Sequence, residues 1–410
     1  MKRLRTASTR RLTVILAVAL PLALTAAIAQ GALTGSTPTP SPKALANAVV
    51  DAFKAPEPEG ITAKIEFTNN LLPSGSLPGG MASPLASGAD GRLWVQKSGD
   101  FRLELQSAAG DAQIVSDGDK VTVFDASSNT VYRATLPADA KDAAKPADHD
   151  EKLTLDKVRK ALERLAKTWT ISGADPTSTA GRPTYTVKLS PKDDGGLLGA
   201  AELAWDAVRG APLRAAIYAE HQSGPVLELK ATEVSYDAVP DSDVSISPPA
   251  GAKVTDLSPD EAKRGAKEHA RKTKRGAKHD EVQGVGAVQR ELDFELAAPA
   301  KLAGLPRKEV RLVRLDGKKA ALTVYGEGFG AIGVLQHKAD ESDAGKDDGK
   351  DDGNDPGALK LPEINIDGAT GSELATALGT IVTFERDGVA YLVAGSVPPV
   401  AAENAARGLK

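Results

Sequence analysis

The stretch that decides the fold is Gly91–Pro137, GRLWVQKSGDFRLELQSAAGDAQIVSDGDKVTVFDASSNTVYRATLP. Four short runs alternate apolar and polar residues. Each break carries turn chemistry: Ser98-Gly99-Asp100, Ala109-Gly110-Asp111, Ser116-Asp117-Gly118-Asp119 and Ser127-Ser128-Asn129. Alternation with period two, punctuated by such turns, predicts an antiparallel meander. Leu93, Val95, Phe101, Leu103, Leu105, Ile114, Val121 and Val123 then share one side. Arg92, Gln96, Arg102, Glu104 and Thr122 occupy the other. A long sheet with one apolar face, in a chain poor in catalytic residues, points to a protein that holds or senses an apolar ligand.

Upstream, Ile61–Asn69 alternates strictly, with Ile61, Ala63, Ile65 and Phe67 against Thr62, Lys64, Glu66 and Thr68. Lys43–Phe53 reads as an apolar helix after Ser41-Pro42. Between strand and meander, Asn70–Asp90 is rich in Gly, Pro and Ser yet carries Leu71, Leu72, Leu77, Met81 and Leu85. A loop of that length is a flexible insertion or a lid over an apolar cavity. Downstream, Ala138–Lys152 reads as a charged linker. Thr154–Thr168 is an amphipathic helix, with Leu155, Val158, Leu162 and Leu165 at helical spacing. Strands are expected at Pro183–Leu189, Ala201–Trp205, Pro212–Ala219 and Val226–Val234, and an exit strand over Val244–Val254.

The N-terminus sets the compartment. Lys2, Arg3, Arg5, Arg10 and Arg11 precede an uncharged segment, Leu12–Ala29, that ends in Ala27-Ile28-Ala29. Basic, apolar, then small is the export-signal pattern. The segment is also close to the length of a membrane anchor. Either way the bulk of the chain lies outside the cytoplasm, in the periplasm or cell envelope. Residues 31–42 form a Thr/Pro/Ser tether, expected to be loose from Gly35 to Pro42.

Composition narrows the chemistry. The chain has 410 residues and a net charge of −4, which argues against a general nucleic-acid binder. It has no cysteine, so disulfides, thiol catalysis and thiolate metal sites are excluded. Only five histidines occur, with no HExxH and no G-x-S-x-G to complete a hydrolase. Gly326–Gly330 lacks the Gly-Lys-Ser/Thr that a phosphate loop needs, and reads as a glycine-rich strand or bulge. No enzyme and no cofactor is expected.

Two segments stand apart. Asp260–Lys278 is strongly basic, with no large apolar residue and no interleaved aromatic. It reads as a solvated linker, with an anionic membrane surface as its alternative contact rather than nucleic acid. Asp340–Asp355 is acidic, of low complexity, and expected to be disordered. Around it lies a second unit, 284–410. Strand-like alternation runs over Gly284–Leu335, and a short helix is expected at Glu373–Leu378. Strands at Thr380–Glu385 and Val389–Gly395 are joined by Arg386-Asp387-Gly388, and a closing helix follows Pro398-Pro399.

The run from Lys97-Ser98-Gly99 through Asp100–Glu104, Ser116-Asp117-Gly118, Val123-Phe124-Asp125 and Asn129–Arg133, with the exit at Pro248–Val254, resembles the LolA-type lipoprotein carriers over about Leu45–Leu257. The second unit is similar to the C-terminal domain of RseB/MucB-type regulators of extracytoplasmic sigma factors, through Tyr325–Leu335 and Val393–Pro399. The resemblance implies a mainly β fold with α: an incomplete antiparallel β-barrel over 43–257, covered by helices, then a basic linker (258–283) and a small α/β domain. Both Leu45–Phe53 and Leu155–Leu165 would pack on its concave side. It implies acyl chains of a lipid or lipoprotein as ligand, or a membrane-bound partner such as an anti-sigma factor. The expected cavity lining is drawn from Ile65, Phe67, Leu93, Val95, Phe101, Leu103, Leu105, Val121, Val123 and Trp205.

Overall fold

The computed structural model describes residues 38–72, 84–108, 110–118, 120–126, 129–135, 154–192, 195–245, 250–257, 282–315, 318–339 and 361–410. The N-terminal segment expected to direct export, the basic run 260–278 and the acidic run 340–355 lie outside the described residues. Among those described, no helix is long and apolar enough to cross a membrane.

Helix α1 (Leu45–Lys54) leads into β1 (Gly60–Asn69). A single helical turn, α2 (Pro84–Ser87), precedes the meander. The meander is β2 (Ala89–Gln96), β3 (Phe101–Ser107), β4 (Gly110–Asp117), β5 (Lys120–Asp125) and β6 (Thr130–Thr135). Helix α3 (Leu155–Leu165) follows. Then come β7 (Trp169–Ile171), β8 (Asp175–Thr179), β9 (Arg182–Pro191), β10 (Leu198–Asp206), β11 (Pro212–Ala219), β12 (Pro225–Ser235) and β13 (Lys253–Leu257). They form one sheet in the order β13-β6-β5-β4-β3-β2-β1-β12-β11-β10-β9-β7, with β8 on β9.

The sheet is antiparallel throughout except at one edge. There β13 pairs with β6 in parallel, Val254 opposite Val131. This corrects both ends of the expected exit strand: Asp241–Val244 is a 3-10 turn, residues 250–251 form a turn, and β13 runs from Lys253; residues 246–249 lie outside the described residues. The short strands β7 and β8 escaped the sequence reading. The loop reading of Asn70–Asp90 is corrected at its end, where Pro84–Ser87 is helical and Ala89 and Asp90 already belong to β2. The tether is also tied down at its end: the Tyr185 hydroxyl donates to the Ser41 carbonyl at 2.7 Å.

The sheet curls. Flat neighbours lie about 4.8 Å apart, so β9 and β12 would be separated by about 14 Å. Yet the guanidinium carbon of Arg182, at the start of β9, sits 4.9 Å from the ring centre of Tyr236, just past β12. Helix α1 covers the β9–β10 end of the hollow: Leu45, Ala48, Val49 and Ala52 pack on Tyr185, Val187 and Trp205. Thr154 caps α3 through its hydroxyl, with Asp156 in the first turn and Arg164 in the last, both suited to the helix dipole. Only Val158 of α3 is fully buried, and α3 packs chiefly on α1. The expectation that both helices lie directly on the sheet is corrected for α3.

The second unit comprises α4 (Val285–Gln289), β14 (Lys301–Leu302), β15 (Leu305–Leu315), β16 (Lys318–Tyr325), β17 (Ile332–Lys338), β18 (Glu363–Ile366), β19 (Ala369–Thr376), β20 (Gly379–Arg386), β21 (Val389–Gly395) and α5 (Pro399–Arg407). The strands form one sheet, β14-β15-β16-β17-β21-β20-β19-β18. The expected helix at Glu373–Leu378 is instead strand up to Thr376, with Glu373 opposite Val382 and Leu374 opposite Ile381, and then the turn Ala377-Leu378. Val285–Gln289, expected within a strand run, is a short helix. Gly328–Gly330 is a 3-10 turn rather than a strand or bulge. Pro399 opens α5, where its missing N–H costs nothing. Ala402, Ala405 and Ala406 of α5 share a buried core with Val334, Val382 and Val393 of the sheet.

Candidate functional site

Strand register builds one continuous apolar face. A row of directly opposed residues crosses the first sheet as Val187, Leu203, Ala215, Leu229, Phe67 and Ala89. A second row runs Ala63, Leu93, Leu103, Ile114, Val123, Tyr132. A third runs Ile61, Val95, Phe101, Ser116, Val121, Ala134. Ile65 and Leu105 stand on the same side, opposite Gly91 from either strand. Trp205 opposes Tyr185, two residues along from the Leu203–Val187 pair. All ten sequence-predicted residues therefore register on one face.

The outer face is charged. Lys64 pairs with Glu233 at 2.8 Å and Lys230 with Glu66 at 3.6 Å. Arg214 joins Glu202 at 2.7 Å and Glu228 at 2.5 Å, and also donates to the Tyr218 hydroxyl at 2.6 Å. Burial would raise the Glu202 carboxyl, but its hydrogen bonds from Arg214 and Tyr218 outweigh that and hold it below its ordinary value. Nothing charged from this ladder shares the apolar side.

Coverage divides the ten residues into two groups. Ile65, Val95, Leu105 and Trp205 are buried. Phe67, Leu93, Phe101, Leu103, Val121 and Val123 are only half-buried. The β8–β9 turn accounts for part of the cover: Ala180 at its tip packs with Ala63, Ile65, Leu105 and Leu213. Positive φ at Ala180 (53°) and Gly181 (69°) gives this hairpin its tight primed-type turn. Trp205 belongs to the α1 cluster, apart from the meander residues.

A cleft of about 330 Å³ opens between α1, α3 and β7, lined by Leu45, Leu162, Ala166 and Ile171 with Arg159, Glu163 and Ser172. None of the ten predicted residues lines it. It borders the α1 cluster through Leu45 and Ile171, and its size falls within the range of small-ligand clefts. Sequence reading missed this cleft, because its walls come from three elements whose packing no periodicity reveals.

A polar group at the foot of the apolar face was also missed. Asp206 and Arg209 are 1% and 2% exposed. The Asp206 carboxylate accepts from the backbone N–H of Val208 (2.8 Å) and Arg209 (2.9 Å) and from the Tyr236 hydroxyl (2.8 Å). Burial, then the Asp206 charge, pushes the Tyr236 hydroxyl far above its ordinary pKa. Tyr236 packs with Ile61, Val95 and Ala211, next to Leu93 and Phe101.

Residues 81–156 match the family described as "Predicted periplasmic protein (DUF2092)". That description and the N-terminal export pattern agree on an extracytoplasmic protein. No curated protein matches the chain. Among solved structures, the chain is similar to MucB in complex with MucA(peri), with 15% identity over 89% of this chain and 96% of that one and a TM-score of 0.38. It is similar to the MucA/MucB complex of Pseudomonas aeruginosa, with 14% identity, coverage of 88% and 95%, and a TM-score of 0.38. A LolA superfamily protein of Nitrosomonas europaea matches at 11% identity over 50% of this chain and 98% of that one, with a TM-score of 0.20.

Proposed function

We propose that this is an extracytoplasmic, non-catalytic binding protein that holds acyl chains of a lipid or lipoprotein on the apolar face of its first sheet. The observation that carries this reading is the continuity of that face across the meander together with its incomplete cover. Phe67, Leu93, Phe101, Leu103, Val121 and Val123 keep apolar surface that no described helix buries fully. Each methylene laid on such a surface gains about 0.8 kcal/mol, so about ten would contribute roughly 8 kcal/mol before the cost of ordering the chain. Mass spectrometry of lipids extracted from the purified protein tests this. An acyl lipid at near-stoichiometric yield supports the reading. A lipid-free protein that also fails to take up added oleate contradicts it.

One observation favours a second reading, capture of a membrane-bound partner protein by the C-terminal unit. The face of its sheet turned away from α5 is also apolar: Leu322, Leu335 and Leu392 oppose one another across β16, β17 and β21. Ile381 and Leu392 there are 38% and 37% exposed. Leu392→Lys would abolish partner capture while leaving acyl binding and the melting temperature intact. Unchanged capture by that variant would remove this face from consideration.

A further inference from the structure

The turn between β10 and β11 buries a guanidinium whose two Nη atoms have no hydrogen-bonding partner among the described residues. Both Nη atoms of Arg209 are fully enclosed and make no hydrogen bond among the described residues. Its backbone N–H is used, held to Asp206 at 2.9 Å. The Asp206 carboxylate does not hydrogen-bond the guanidinium: it accepts from two backbone N–H groups and the Tyr236 hydroxyl. A second guanidinium is close by. The Arg182 and Arg209 guanidinium carbons lie 4.9 Å and 5.3 Å from the Tyr236 ring centre. Two cations thus face one carboxylate that is already engaged.

Stacking on a tyrosine ring returns only part of what burying a guanidinium costs. The Asp206 charge offsets part of that cost, but the enclosed Nη groups remain without acceptors, and an oxyanion that accepts two parallel N–H bonds, a carboxylate or a phosphate, would satisfy them. The location says what carries that oxyanion. Tyr236 and Ala211 pack directly with Ile61 and Val95, beside Leu93 and Phe101, so the cation pair sits at the foot of the apolar face. The same turn is flanked by exposed apolar side chains. Val208 is 58% exposed, and Phe53, at the end of α1, is 67% exposed. Gly210 (φ 71°) lets the turn press against α1: a Cβ there would collide with the Ala52 carbonyl oxygen.

We propose that Arg209 and Arg182 form a site for the anionic oxygen group, carboxylate or phosphate, of an acyl lipid whose chain lies on the apolar face. The proposal rests on the acyl-binding reading of that face and adds the chemical class of the ligand. Arg209 is the fixed member, held through its backbone by Asp206. Arg182 is half-buried and follows the hairpin tip Ala180-Gly181, so it is the member that a headgroup meets first.

The test is equilibrium binding of radiolabelled oleate and methyl oleate to the full chain at neutral pH. The two ligands share a chain and differ only in charge. Oleate should bind at least about tenfold more tightly, the worth of one charge-assisted hydrogen bond. Arg182→Gln and Arg209→Met should each bring oleate down to the affinity of methyl oleate without changing the latter. Should Arg209→Met fail to fold, Arg182→Gln and the comparison on the unaltered chain carry the test. Equal affinity for the two ligands on the unaltered chain would overturn the headgroup site and leave the acyl reading standing. Binding of neither would overturn both. Saturable inorganic phosphate binding that Arg209→Met abolishes, in a chain that takes up no oleate, would assign the site to a free anion and overturn the lipid assignment.

Discussion

Leu103→Glu separates an open lipid face from a closed core. Leu103 stands between Leu93 and Ile114 in register and is half-buried. Full burial of a leucine is worth about 2 kcal/mol, and Leu103 is incompletely covered, so about 1–2 kcal/mol of burial is lost. On an incompletely covered face the new carboxylate reaches water, and the total cost stays near 1–2 kcal/mol. Against a typical domain stability of about 5–15 kcal/mol the chain remains folded, melting about 3–6 °C lower. Ligand binding suffers more. A charge that displaces about three methylenes forfeits about 2.4 kcal/mol, roughly a 60-fold loss in affinity. Ile65→Glu is the contrast. Ile65 is buried on the same face. That variant loses the whole side-chain burial and encloses a carboxylate at several kcal/mol more, and should not fold. Circular dichroism melts beside oleate binding on both variants make the comparison. A folded Leu103→Glu chain with unchanged affinity would refute the assignment of this face. Loss of folding in Leu103→Glu would refute its openness.

Three further outcomes are expected. Gly210→Val forces a β-branched side chain into a left-handed backbone and against the Ala52 carbonyl; it should lower the melting temperature by several degrees, and an unchanged melt would contradict the α1 packing. Tyr325 is fully buried with its hydroxyl unpaired among the described residues, and burial pushes its pKa up to about 12. Tyr325→Phe removes an unsatisfied donor and should raise stability by about 1 kcal/mol in a denaturant titration, whereas a loss would reveal a partner for that hydroxyl. Glu202 has a depressed folded pKa, so its stabilising effect is full above the unfolded carboxylate value of about 4.3 and is lost as pH falls through the folded value. Stability measured from pH 6 down to about pH 3 should therefore fall more steeply in the unaltered chain than in Glu202→Gln.

The meander was legible because its period of two, its turns and its charged outer face all agree. That agreement fixed which side each residue faces, and the register repeats it across strands far apart in sequence. Glu373–Leu378 misled because Glu, Leu and Ala favour helix locally, whereas pairing with β20 decides their state. Trp205 carried the right face but not its neighbours: helix α1 folds over that end of the sheet, an event that no local pattern encodes. The cation pair was invisible for the same reason. Arg209-Gly210 reads as an ordinary turn and Arg182 as a surface charge; only the curl of the sheet brings both onto Tyr236.

Photocrosslinking locates acyl chains on the first sheet without any substitution in the chain. A fatty acid with a photoreactive group near its methyl end is bound to the full chain and irradiated, and the adducts are mapped by peptide mass spectrometry. Saturable adducts are expected on β1 to β5, at Phe67, Leu93, Leu103, Val121 or Val123, competed away by oleate. Adducts confined to the charged outer face or to the C-terminal unit, or none that oleate competes for, would contradict acyl binding on the apolar face.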